Sequence, residues 1–118
     1  MYVLNESDRS YRGGDHGPKY LMKGPRMNFG TVLLRPGDVV AGHFHAVMEE
    51  NFFVLEGSMT IYVEGEKHVL SEGGFIHVEP DEKHWLKNCG DVPCRFCIAL
   101  APFVEQDKIA AEFTPKDE

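Results

Sequence analysis

The chain has 118 residues, 42% of them hydrophobic with eight Phe and one Trp, enough for one compact core and too few for a second domain. Nineteen acidic residues against twelve basic ones give a formal net charge of −7, a surface that repels phosphate backbones and argues against nucleic-acid binding. No stretch approaches the roughly 18 apolar residues of a membrane span, and residues 1–9 lack an apolar run of signal-peptide length, so a cytoplasmic protein without a membrane partner is expected.

In chain order, residues 1–28 read as an arm rich in Gly and charge between Arg12 and Pro18, interrupted by Tyr20, Leu21 and Met22. Beyond it, short runs of β-branched and aromatic residues are cut by Gly, Pro, Asn and Asp, the signature of strands joined by tight turns. The predicted strands cover 29–35, 39–45, 51–55, 59–63, 67–70, 75–79, 84–87 and 95–101, with a hairpin turn at Glu64, Gly65 and Glu66. Eight such strands over 29–101 predict an all-β, antiparallel jelly-roll barrel, an architecture that leaves few exposed edges. Pro102 closes the last strand. Val104, Ile109 and Phe113 then make a faint helical stripe, so 102–118 is expected to be a short C-terminal helix and a frayed tail.

Chemistry concentrates between Gly37 and Asn88. His43 and His45 are two residues apart, so on a strand both imidazoles point to one face. After a turn at 46–48, Glu50 returns on the next strand to face the same point, while Glu49, one residue earlier, points away. His84 follows Pro80 and precedes Asn88. Three neutral imidazoles and one carboxylate suit a divalent transition metal (Mn, Fe, Ni or Zn) better than calcium or magnesium, which prefer all-oxygen cages. The alternative, histidines satisfied by ordinary hydrogen bonds, fits a lone His-x-His as well as a metal does, but fits poorly once the carboxylate and third His are added.

These spacings resemble the cupin superfamily in its small single-domain form. Its first motif is Gly, five residues, His-x-His, three or four residues, Glu, six residues, Gly; here Gly37, His43, His45, Glu50 and Gly57 meet it in full. Its second motif is matched by Gly74, Pro80, His84 and Asn88, with two departures: Glu82 stands where a Gly is expected, and the Pro-to-His gap is one residue short. The resemblance implies a barrel with His43, His45, Glu50 and His84 as metal ligands, a small-molecule ligand or substrate, and a homodimer, to which the edge at Tyr2, Val3 and Leu4 could contribute.

Other residues carry less chemistry. If Glu50 faces inward, alternation puts Phe52 on the same wall, where it lines the pocket or simply fills core. His77 shares a face with Phe75 and Glu79, and is a candidate for substrate contact. Trp85 flanks His84 and should point the opposite way, into packing. Cys94 and Cys97 form a Cys-x-x-Cys, but three residues apart on a strand they face opposite sides, which suits neither a disulfide nor shared ligation.

A dication held by three imidazoles and one carboxylate keeps a net positive charge and open positions for substrate oxygens. The expected function is therefore a metal-dependent small-molecule enzyme acting on a small oxygen-rich substrate, either dioxygenase-like or sugar isomerase- or hydratase-like. The alternative is a non-catalytic module in which the ion holds a metabolite or sugar, since fold does not imply activity. No catalytic acid or base can be singled out, because Glu50 is occupied as a ligand and Glu49 points away.

Overall fold

Short runs of alternating apolar residues cannot bury themselves singly, so each strand must pair and turn one face to a shared core. The computed structural model describes residues 1–111 and 113–116. The ten strands are β1 Gly17–Lys23, β2 Asn28–Leu34, β3 Val39–His45, β4 Glu49–Glu56, β5 Met59–Val63, β6 Glu66–Leu70, β7 Phe75–Val78, β8 His84–Lys87, β9 Cys94–Ala101 and β10 Lys108–Ala110. They form two five-stranded sheets in the orders β1-β2-β9-β4-β7 and β10-β3-β8-β5-β6. Every pairing is antiparallel. The result is the expected all-β jelly roll.

The core lies between the sheets. Along β9, buried and half-buried residues alternate from Cys94 to Ala101, as a half-covered strand requires. Its inward residues Cys94, Phe96, Ile98 and Leu100 join Phe52, Val54, Met59, Ile61, Val78 and Leu86 in one cluster. Gly57, at the turn after β4, has φ +75°, and a Cβ there would lie 2.5 Å from the Pro93 carbonyl oxygen. Only Gly fits that turn.

The structure departs from the expected boundaries at both ends. The arm is a separate element only up to residue 16: β1 pairs with β2 along its whole length, with a bulge between Tyr20 and Met22. The segment before it is pinned to the sheet's outer face, where Glu6 meets Arg95 Nη1 at 3.1 Å and Thr31 Oγ1 at 3.2 Å. At the other end no helix occurs among the described residues of 102–118. Lys108–Ala110 form β10 against β3 instead. The three apolar residues of the stripe are spaced too widely to bury a helix face, whereas the edge of β3 offers unpaired backbone groups.

Candidate metal centre

The three imidazoles come from one sheet and the carboxylate from the other. His43 and His45 lie on β3, and His43 pairs directly with His84 of β8. Directly opposed residues share a face, which brings the His43 and His84 ring centroids to 4.3 Å. A register shift between Val40 and His43 inserts an extra residue just before His43 and re-aims the strand there. Glu50, on β4 of the facing sheet, reaches across the core. Its Oε1 lies 3.2 Å from both His45 Nε2 and His84 Nε2. One ligand atom from each of the four residues falls within 4.8 Å of the others, all four residues are buried, and the group could hold a metal ion.

Hydrogen bonding tests that fit. His43 Nδ1 donates to the Ala41 carbonyl at 2.8 Å and His84 Nδ1 to the Glu82 carbonyl at 2.9 Å. A carbonyl only accepts, so in each neutral ring the hydrogen is on Nδ1 and Nε2 presents a bare lone pair. The Glu50 carboxylate is also an acceptor. At His84 two acceptors therefore face each other in a buried setting, which calls for a cation, a proton or a metal ion, between them. His45 Nδ1 is buried with no partner among the described residues, so that ring is free to turn its hydrogen toward Glu50 from Nε2 or, with an ion at Nε2, to carry it on Nδ1.

The charge states agree with a ligand set. Burial, reinforced by the neighbouring His84, lowers the His43 pKa to about 4. For Glu50, burial alone would raise the pKa, but the His45 and His84 rings, each with Nε2 at 3.2 Å from its Oε1, outweigh it and hold the value at about 2. At neutral pH the site offers a neutral His43 and an ionised Glu50, the forms that bind metal.

His43, His45 and Glu50 line a cavity of about 520 Å³, whose wall also includes Phe52, Phe96 and Ile98. With this geometry in place, the chain can be compared with known proteins. The cupin domain profile matches residues 30–100. The chain belongs to the cupin domain family. Among curated relatives, this cupin is 28% identical over 80 residues to the tetracenomycin polyketide synthase protein TcmJ of Streptomyces glaucescens, covering 68% of this chain and 54% of that one. It spans about half the length of that relative. Among solved structures, an uncharacterised conserved protein with a double-stranded β-helix domain from Klebsiella pneumoniae superposes with a TM-score of 0.81 at 18% identity, covering 96% of this chain and 99% of the other. The polyketide cyclase RemF of Streptomyces resistomycificus gives 0.78 at 22% identity, covering 99% and 89%.

Both cupin motif departures have local solutions. With Glu82 in place of Gly, the left-handed backbone falls one residue earlier on Asp81 (φ 69°), a residue type that tolerates it. The Glu82 side chain then accepts from the Glu79 N–H at 2.7 Å and its carbonyl orients His84. Asn88, fully buried, is a strand-end clip: its Nδ2 donates to the Leu34 and Val92 carbonyls, both at 2.9 Å, and its Oδ1 accepts from the Gly90 N–H at 2.9 Å.

The remaining predicted residues divide by face. Phe52 lines the cavity and meets His84 edge-on at 6.1 Å. His77 does not join it. Paired with Asn51 on the outer face of the sheet, it lies 2.6 Å from Asn51 Oδ1 and 3.3 Å from Glu49 Oε2. The pairing of Glu50 with Val78, which is inward, forces His77 outward. Trp85 packs edge-on against Tyr62 at 5.9 Å, away from the imidazoles. Cys94 is buried and Cys97 half-exposed; burial pushes the Cys94 thiol up to about 11. Sequence reasoning missed Arg12, Tyr20, Lys23 and Asn28, which also line the cavity.

Proposed function

We propose that this cupin is a metal-dependent enzyme acting on small, oxygen-rich, enolisable molecules of the polyketide type, with His43, His45, Glu50 and His84 as the metal ligands. The observation that carries this reading is the buried contact between two acceptors, His84 Nε2 and Glu50 Oε1, beside a cavity large enough for an aromatic substrate. A bound divalent ion would supply Lewis acidity, stabilising negative charge that develops on a substrate oxygen. Manganese, iron, nickel or zinc suits the donors.

The chain's own residues do the rest. Ala41 and Glu82 carbonyls orient the His43 and His84 rings, so both Nε2 lone pairs are aimed before any ion arrives. Phe52, Phe96 and Ile98 keep water from the inner wall and offer flat apolar surface to a ring. Burial, with the Glu50 carboxylate nearby, raises the Tyr20 pKa, so its phenol stays protonated and donates to a substrate oxygen. The likeness to TcmJ, a polyketide synthase protein, supports a polyketide-type substrate. The non-catalytic alternative has one observation in its favour: Glu49, the neighbouring spare carboxylate, is turned outward to Asn51 and His77.

Elemental analysis of protein purified without a His tag should find about one transition-metal ion per chain, and Glu50→Gln should lower metal affinity by roughly 10- to 100-fold while circular dichroism is unchanged. Loaded wild type should speed exchange of the α-hydrogens of a 1,3-diketone into heavy water, followed by proton NMR. Failure to take up metal sinks the reading. Tight diketone binding without exchange would select the binding module, and copurified iron would move the search to oxygenase assays.

A further inference from the structure

We propose that the β1 side of the cavity, where Arg12 and Lys23 stand beside Asn28, recognises a carboxylate on the substrate through the two cations. This rests on the metal-centre reading above and adds the substrate's chemical class. The register supplies the first argument. Lys23 pairs with Asn28, Tyr20 with Gly30 and Pro18 with Val32, and opposed residues of an antiparallel pair share a face. Pro18, Tyr20, Lys23, Asn28 and Val32 all line the cavity. Arg12 is held at the same wall by its backbone, whose N–H donates to the Pro18 carbonyl at 2.8 Å.

Asn28 supplies the second. It is only 6% exposed, and its Oδ1 is buried with no partner among the described residues. That oxygen only accepts, so it is satisfied by a hydroxyl or N–H of the ligand and not by the carboxylate itself, which marks this wall as one that a polar ligand completes.

Charge supplies the third. Among the described residues neither Arg12 nor Lys23 is ion-paired; the Lys23 ammonium sits 5.6 Å from the Tyr20 ring. Lys108 adds a third cation to the cavity lining. Asp107, which accepts from the Val47 and Met48 N–H groups at 2.9 and 2.8 Å, and Glu105 offset Lys108, so the charge available to a ligand is that of Arg12 and Lys23. Arg12 and Lys23, without an ion-pair partner on the β1 side of the cavity, are the groups there that can draw in an anion even on a chain carrying −7. The planar fork of Arg12 matches the two oxygens of a carboxylate.

The test uses the zinc-loaded full chain and two probes of equal size, 3,4-dihydroxybenzoate and its neutral amide, titrated by calorimetry at low salt. Both offer vicinal oxygens, and only one bears the charge. The acid should bind about tenfold more tightly than the amide. The double variant Arg12→Gln/Lys23→Gln should abolish that preference while leaving amide affinity, metal content and circular dichroism unchanged; Arg12→Lys/Lys23→Arg should retain it. Equal affinity for the two probes in wild type, or a preference that survives in the double glutamine variant, overturns this inference alone. If neither probe binds the loaded chain, the metal-centre reading falls and the carboxylate site falls with it.

Discussion

Asn88 ends a family motif yet touches no ligand atom. Its three hydrogen bonds tie the end of β2 to the loop before β9, with no exposure to water. Asn88→Ala should therefore cost about 3 kcal/mol in urea unfolding, since it strands buried backbone groups. His43 makes a pH prediction for the chelator-treated protein. Its folded pKa of about 4 lies below the ordinary 6.5, so between those values the unfolded chain binds a proton that the folded chain refuses. Stability thus falls as pH drops through that window, by about 2 kcal/mol between pH 7 and 5. His43→Gln should flatten the urea midpoint over the same range. At this scale the buried cluster of His43, His45, Glu50 and His84 was legible, because a strand's period of two puts His43 and His45 on one face whatever the topology. His77 was not. Alternation groups it with Phe75 and Glu79, but only the pairing of Glu50 with Val78 decides which side faces the cavity.

Turns and strand edges mark the limits at the scale of elements. All eight strands expected over 29–101 form within a residue or two, since each combines β-rich composition with Gly, Pro, Asn or Asp at its ends. β1 and β10 escaped notice for a common reason. Both are edge strands, β1 is bulged and carries Pro18, and β10 has three exposed residues, so neither bears an alternating pattern. Their existence depends on the free edges of β2 and β3, which local sequence does not announce. Gly57 is the reverse case, a motif residue whose reason is purely steric. Gly57→Ala combines a left-handed φ with a clash against the Pro93 backbone and should destabilise by about 2 kcal/mol or more in thermal or urea melts.

As a whole molecule, the barrel leaves β1 at a sheet edge with Tyr2 and Val3 exposed nearby at 61% and 90%. An exposed edge beside apolar side chains invites a second copy. Light scattering at micromolar concentration should give twice the chain mass, and Val3→Lys should shift it toward one. Among the described residues no helix is long and apolar enough to cross a membrane.

The placement of Glu50 apart from the three histidines has a mechanical consequence. Three donors belong to one layer of the sandwich and the fourth to its mate, so an ion there would rivet the two layers through their middle. Chelation would then leave two neighbouring rings and a carboxylate held only by protons, and the layers would be freer to breathe. Deuterium uptake should quicken at the amides of β4 and β8, while β6, separated from β8 by β5, keeps its protection.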